Sequence, residues 1–404
     1  MGQERTGTPR IAVIGGGAAG CFCAVEARRR LPDAQVRVYE AAAQPMRKLA
    51  LTGGGRCNLT NSFAGVEKLA DVYPRGEQVM RRALRTFSPE DCCRWFRQAG
   101  VALVTQTDQC VFPESQDAMQ IVRTLAHLMR ENGVQLKTEA QVTALSPQAQ
   151  GGYLLHFADG TEAAADKVVV TTGGGALRLL GPLQLALEPP VPSLFTLKIP
   201  DASLHALMGT VVPEASLRLA GTHFRSTGAL LLTDWGVSGP ATLKLSSYAA
   251  RHLAQAQYRA RLLIAWLPAR EQEVLSWVEA ARKSPRQFAG LRPGNLTGRL
   301  WQHILQRAGL QAEARWVGLS DKGARRLAAV LTADEYPIAG RARFKEEFVT
   351  CGGVSLQEIH PATLEARRFP GLFFAGEVLD IDAVTGGFNL QAAWSTGYVA
   401  AKNL

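Results

Sequence analysis

The sequence predicts an α/β protein in which a parallel-sheet domain is assembled from both ends of the chain around a long insert. Three observations carry this. Near the N-terminus, RIAVIGGGAAGCFCAVEARRR reads as buried strand, tight glycine turn and helix. From Gly371 onward the chain again runs strand, glycine turn and helix, closing with GGFNLQAAWSTGYVAA. Between them the composition changes at Glu188-Pro189-Pro190-Val191-Pro192, where the prolines exclude a helix or a central strand. The expected architecture is a discontinuous Rossmann-type domain, 1–190 and 344–404, interrupted by an insert at 191–343.

Taken in order, Ile11 to Ile14 supplies the first strand, Ala18 to Arg30 the first helix, and QVRVYE a second strand ending at Glu40. Helices are expected at Glu77–Leu84, Pro89–Gln98 and Met119–Asn132, the last stopped by Gly133 and feeding a strand that ends at Leu145. YLLHFADGTEAAADKVVVTTGGG reads as a hairpin turning at Asp159-Gly160, whose second arm becomes a core strand. Within the insert, 191–267 shows short strands and glycine turns, and 268–335 is helical and basic. Around Phe344 to Gly353 the chain returns to extended structure.

A length of 404 residues exceeds one ordinary core, so two or three domains are expected, and 47% hydrophobic with 20% charged residues is a globular composition. No apolar run reaches bilayer length, and the polar MGQERTGTPR does not read as a signal peptide. Seven scattered cysteines, an odd count, point to reduced thiols and a cytoplasmic location. Cys21 and Cys23 lie two apart on a helix and share no face, and no His/Cys cluster has metal-ligand spacing, so no metal is expected.

The formal charge is +10, and much of it is concentrated. Between Arg282 and Arg326 lie Lys283, Arg286, Arg292, Arg299, Arg307, Arg315, Lys322 and Arg325, opposed only by Glu313 and Asp321. Such a surface attracts polyanions, RNA among them; the plain alternative is a soluble face that happens to be basic. Trp235, Trp266, Trp277, Trp301 and Trp316 in the insert could stack bases, although tryptophan in a helical segment is usually core.

The glycine turn carries the first chemistry. Gly15-Gly16-Gly17-Ala18-Ala19-Gly20 fits G-x-G-x-x-G between a strand and a helix. Gly15 permits the turn, Gly17 lets backbone approach a pyrophosphate, and Gly20 lets helix pack on strand. The pyrophosphate would sit at the helix N-terminus, beside Ala18 and Ala19. Glu40, twenty residues after Gly20, can bind both hydroxyls of an adenosine ribose, which favours FAD or NAD over NADP. Lys48 to Asn61, KLALTGGGRCNLTN, selects FAD. There Thr52, Gly54 and Gly55 offer backbone that can lie flat against a ligand, Arg56 a fixed cation and Asn58 a two-way hydrogen bonder. At the C-terminal end, Gly376 closes a buried strand, Glu377 and Asp380 can reach ribityl or phosphate oxygens, and Gly386-Gly387 opens a helix toward the flavin. Gly173, in the cluster after Lys167–Val170, belongs to the same scaffold, as do Thr172 and Val142. No second glycine fingerprint marks a resident nicotinamide domain, so NAD(P)H is expected to dock only transiently as reductant.

TGGGRCNLTN, LLTDWGVSGPATLKLSS and GLFFAGEVLDIDAVTGGFNLQAAWSTG resemble the signature segments of the BaiN/RdsA, or HI0933-like, flavoproteins, and the resemblance runs through nearly the whole chain. It implies a two-part FAD domain with an inserted small β-barrel and helical subdomain. It also implies that Gly15, Gly17, Gly20, Glu40, Lys48, Gly55, Arg56, Cys57, Asn58, Gly376, Asp380, Gly387, Asn389 and Leu390 surround non-covalently held FAD. Cys351 in TCGGVS departs from the alanine expected there. Three substrate classes follow from the resemblance: a uridine in large-subunit ribosomal RNA, reduced to dihydrouridine; a conjugated enone; and an amine of the aminoacetone type, oxidised. A flavin-containing RNA-binding module without catalysis is the remaining alternative. Cys57, in the flavin loop, is the candidate proton donor, against a packing role. His360, ahead of Pro361, reads as solvated.

Overall fold

The computed structural model of the chain describes residues 8–342 and 349–404. The chain divides into two compact units, Met1–Val191 with Val349–Leu404, and Pro192–Phe348. The expected resumption at 344 lies outside the described residues.

The first unit is organised by a five-stranded parallel sheet in the order Leu372–Phe374, Lys167–Val170, Arg10–Ile14, Gln35–Tyr39, Gln135–Lys137. Its central strands are continuous apolar runs because helices and loops cover both faces. The helices Ala18–Arg30 and Phe388–Lys402 pack together, with the rings of Phe22 and Trp394 5.5 Å apart, which fastens the end of the chain to its beginning. The helix Pro89–Gln98 begins where the sequence places it. Ser88 accepts the Asp91 N–H at 3.1 Å, the Asp91 carboxylate accepts the Ser88 N–H at 2.9 Å, and Pro89 needs no partner at the first position.

Two local expectations change. The single strand after the helix Ala118–Glu131 is two: Gln135–Lys137 joins the parallel sheet, and Val142–Pro147 forms an antiparallel sheet with Tyr153–Phe157 and Glu162–Ala165. The chain turns between them at Glu139, in left-handed conformation, and the Ala140 N–H donates to Glu40 O at 2.8 Å. The hairpin's second arm divides at Asp166, whose N–H donates to Arg10 O before Lys167 enters the parallel sheet. The proline cluster lies in an extended strand, Leu187–Ser193, paired with Val349–Val354 in a two-stranded sheet, where every strand is an edge that tolerates proline.

The second unit is built on a seven-stranded sheet, all of its pairs antiparallel, in the order Asp334–Ile338, Ala260–Ala265, Val211–Leu219, Arg225–Thr233, Gly236–Ser238, Leu197–Lys198, Gly340–Arg341. Two of these strands follow the helical segment, so that segment is itself inserted into the sheet. The region read as short strands also contains the helices Pro240–Tyr248 and Ala250–Gln255, the first started by Pro240 after Gly239 at φ 88°. Buried Asp334 accepts from Trp266 Nε1 at 3.1 Å, Tyr336 OH at 2.7 Å and Arg307 Nε at 3.0 Å, tying the helix Gly298–Arg307 to the sheet. Trp266, Trp301 and Trp316 are fully buried and Trp277 packs edge-on against Trp316, so these four are core and not base-stacking platforms. No helix among the described residues is long and apolar enough to cross a membrane.

Candidate functional site

The register of the parallel sheet aligns Lys137, Tyr39, Ile14, Val170 and Phe374 across its width. The residues that follow four of them, Glu40, Gly15 to Gly17, Thr171 to Gly173 and Ala375 to Glu377, therefore leave the sheet along one carboxyl edge. The strand order reverses between Arg10–Ile14 and Lys167–Val170, which is where open parallel sheets bind their ligands.

At this edge the Gly15 N–H donates to Tyr39 O at 2.8 Å, and the Thr171 hydroxyl donates to Ile14 O and Gly15 O at 3.0 and 2.8 Å. A Cβ on Gly20 would lie 2.0 Å from Gly15 O and 2.5 Å from Thr171 Oγ1, so the helix packs on the turn as closely as backbone allows. Gly17 differs. It caps the helix without a side-chain hydrogen bond, no acidic residue occupies the first turn, and a Cβ there would meet nothing within 4 Å. The helix N-terminus at Ala18 and Ala19 thus presents backbone N–H groups toward open space. Glu40 accepts the Gly16 N–H at 2.7 Å and the Ala42 N–H at 2.8 Å, which fixes its carboxylate beside the turn.

The second half of the site comes from chain segments remote in sequence. The helix starting at Arg47 breaks at Thr52, and Gly53, Gly54 and Gly55 take left-handed conformations. Gly54 and Gly55 are exposed with nothing within 4 Å of a Cβ. Arg56 donates to Gly53 O at 3.2 Å and lies 4.6 Å from the Phe112 ring centroid, an exposed cation in a fixed place. With its amide oriented to satisfy both neighbours, Asn58 donates to Thr60 O at 3.0 Å and accepts the Gly387 N–H at 3.1 Å. A Cβ on Gly387 would lie 2.3 Å from Thr60 O, so only glycine fits that approach. Asn61 donates to Gly386 O at 3.0 Å, and Asn389 accepts from Ala383 N and donates to Ala383 O, both at 2.9 Å. Leu390 follows, half-buried, in the helix Phe388–Lys402.

Lys48 Nζ lies 3.4 Å from Glu377 Oε2, while Glu377 Oε1 accepts the Thr350 N–H at 2.5 Å. A Cβ on Gly173 would stand 3.4 Å from Glu377 Oε2, the oxygen beside Lys48, and one on Gly376 would stand 2.8 Å from Ala19 Cβ. Lys48, Gly173, Gly376, Glu377 and the first helix are therefore neighbours. Thr172 is half-buried beside Gly173, and Asp380 is half-buried with its N–H on Val354 O. Val142 is set back, buried in the antiparallel sheet opposite Phe157.

Cys57 was open to two roles, proton donation and packing. It has no exposed surface and packs in the hydrophobic core that includes Phe87 and Cys92, and burial pushes its thiol from 9.0 up to about 12, against a hydrogen bond with Thr52. A thiol so enclosed and so weakly acidic suits the packing role better than the proton-donor role. Thr171, Asn61 and Thr350 were not anticipated. Each acts through a partner far away in sequence, and no local spacing marks it.

Half-exposed glycine backbone at both ends of the site, an uncapped helix N-terminus for a pyrophosphate and a fixed carboxylate for a ribose form the donor and acceptor set that FAD requires, so the residues present fit the group. Comparison with known proteins gives the family. The family model for the HI0933-like protein Rossmann domain matches residues 9–403. The chain is 29% identical to a 3-dehydro-bile acid delta(4,6)-reductase of Clostridium scindens, covering 97% of this chain and 98% of that protein. It is also 29% identical to a ribosomal RNA dihydrouridine synthase of Escherichia coli, with 97% of each covered. A 3-ketosteroid-delta4-(5alpha)-dehydrogenase from Rhodococcus jostii aligns with a TM-score of 0.49 at 14% identity over 98% of both chains. By its family model and its sheet-edge site, the chain belongs to the HI0933-like family of Rossmann proteins and is an FAD-dependent oxidoreductase.

Proposed function

We propose that this enzyme, holding FAD non-covalently and drawing electrons from a transiently docked NAD(P)H, saturates a carbon–carbon double bond of uridine in large-subunit ribosomal RNA. In balance, uridine, NAD(P)H and a proton give dihydrouridine and NAD(P)⁺. Two relatives bear the name ribosomal RNA dihydrouridine synthase, at 29% and 27% identity. The observation that carries the choice of RNA is the excess of cations in 282–326, ten basic residues against two acidic.

Bound FAD supplies a two-electron carrier. The chain's own groups place and polarise it. The helix N-terminus at Gly17 orients a pyrophosphate, and Glu40 offers acceptors to ribose hydroxyls. With FAD bound, Lys48, set beside Glu377, and the N-terminus of the helix Phe388–Lys402 would offer positive potential to a reduced flavin. Asn58, just after the left-handed Gly53–Gly55 turn, accepts the Gly387 N–H and so ties that loop to the Gly386-Gly387 turn. Arg56 remains exposed, available to a phosphate or carbonyl of the substrate.

Reduction of a conjugated enone on a small molecule is a second reading, favoured by the bile-acid reductase among the relatives. Both readings saturate a double bond. Anaerobic reduction of the holoenzyme with NADPH or NADH, followed by addition of deproteinised ribosomal RNA or of a steroid enone, separates them. RNA-dependent reoxidation with dihydrouridine in the product supports the first. Reoxidation by the enone alone overturns it in favour of the second.

A further inference from the structure

The helical segment of the second unit carries cations that the fold does not neutralise. In the first unit some surface arginines sit in ion pairs, as in Arg94–Asp91 at 2.7 Å, Arg123–Asp117 at 2.8 Å and Arg368–Glu358 at 3.3 Å, while exposed Arg82 and Arg130 form none among the described residues. Lys283, Arg286, Arg315, Lys322 and Arg325 are all exposed, and none forms an ion pair among the described residues. The acids at their margin are already engaged: Arg282 holds Glu279 at 3.0 Å and Asp321 at 2.8 Å. Glu313, exposed, is the acid left on this stretch.

Backbone geometry brings these cations together. Gln287 and Arg315 form an antiparallel bridge, the Phe288 N–H donates to Ala314 O at 2.8 Å, and the Trp316 N–H donates to Arg286 O at 3.0 Å. The strip is anchored from below. The rings of Phe288 and Trp316 meet edge-to-face at 4.9 Å, and Trp301 Nε1 donates to Phe288 O at 2.7 Å. Arg286 and Arg315 therefore project from a rigid two-segment strip, continued by Lys322 in the first turn of the helix Asp321–Ala333. Val317, 58% exposed, adds an apolar point among the charges that can rest on a sugar or base.

We propose that this strip, Lys283–Gln287 with Ala314–Lys322, docks the phosphate backbone of the RNA substrate, a proposal that rests on the RNA reading above. Cations on a rigid support, with Glu279 and Asp321 already paired to Arg282, match a polyanion better than they match a neutral small molecule. Each phosphate neutralised releases counterions and adds roughly 0.7 to the logarithmic salt dependence of binding to a single strand.

The test uses the full flavinated protein and an unmodified transcript of large-subunit ribosomal RNA. The triple variant Arg286→Glu, Arg315→Glu, Lys322→Glu is compared with a control triple on exposed arginines of the other unit, Arg82→Glu, Arg123→Glu, Arg130→Glu. The expected result is RNA affinity at least about 30-fold weaker and a salt slope reduced by roughly 2 for the first triple, with flavin content and NADPH-driven dye reduction unchanged. The control should lose less than about 3-fold. Equal losses in both triples, or none in the first while wild type still makes dihydrouridine, overturn the docking strip and leave the RNA reading standing. A wild type that neither binds nor modifies the transcript overturns both.

Discussion

The Glu40 carboxylate accepts the N–H of Gly16 at 2.7 Å, so the acid at the end of the second strand holds the glycine turn at the end of the first. The two features that mark a dinucleotide site in sequence are thus one mechanical unit. Replacing Glu40 with alanine removes the charged acceptor for two backbone N–H groups as well as the partner of a ribose. Hydrogen bonds to a charged group contribute about 1.5–3 kcal/mol. FAD affinity, measured by fluorescence titration of the apoprotein, should fall about 10- to 100-fold, whereas unaltered affinity would place the adenosine elsewhere.

Gly17 and Gly20 should respond in opposite ways to enlargement. Gly20→Val forces side-chain atoms into Gly15 O and Thr171, so we expect a loss of about 3 kcal/mol or more in stability, read from denaturant unfolding. Gly17→Glu meets open space in the apoprotein, so the fold should survive with little change in melting temperature while the purified protein is colourless. A yellow Gly17→Glu variant would show that no pyrophosphate lies there.

How much of this was legible depended on the range of the interactions. The helix Pro89–Gln98 announces itself because Ser88, Pro89 and Asp91 act within one turn. The glycine turn and Glu40 are legible for the same reason, their spacing being set by one βαβ unit. The strand Asp334–Ile338 is not, because it joins the sheet by pairing with Ala260–Ala265 across the whole helical segment, and local pattern holds no trace of the partner. The helix Pro240–Tyr248 was hidden by flanking glycines that read as strand turns. Thr171, Asn61 and Thr350 escaped notice since hydroxyls and amides reveal a role only once their distant partners are known.

Cys57 should behave as a core residue. Cys57→Ala leaves turnover within about two-fold of wild type and lowers stability by roughly 1–2 kcal/mol through lost packing. Because burial raises its thiol above 9.0, its contribution is intact below pH 9 and is lost as pH rises through 9 toward 12. Urea unfolding across that range should show the decline, smaller in the alanine variant. A large fall in the catalytic rate with unchanged stability would restore the proton-donor role.

Asn58 joins the flavin loop to the final helix by donating to Thr60 O and accepting from Gly387 N–H. Asn58→Asp keeps the acceptor and loses the donor, and it leaves a carboxylate facing the Thr60 carbonyl. Flavin affinity should drop at least about 10-fold in this variant, measured by flavin release on dilution. An affinity equal to wild type would separate Asn58 from the cofactor.

One FAD should span the carboxyl edge of the parallel sheet, its two halves held by opposite ends of the chain. A crystal structure of the flavinated protein tests it most directly. The pyrophosphate should lie against Gly17 and Ala18, the adenosine ribose on Glu40, and the flavin ring between Gly54–Arg56 and Gly386-Gly387. Density for the flavin in the second unit, or a pyrophosphate away from the Gly17 turn, would contradict it.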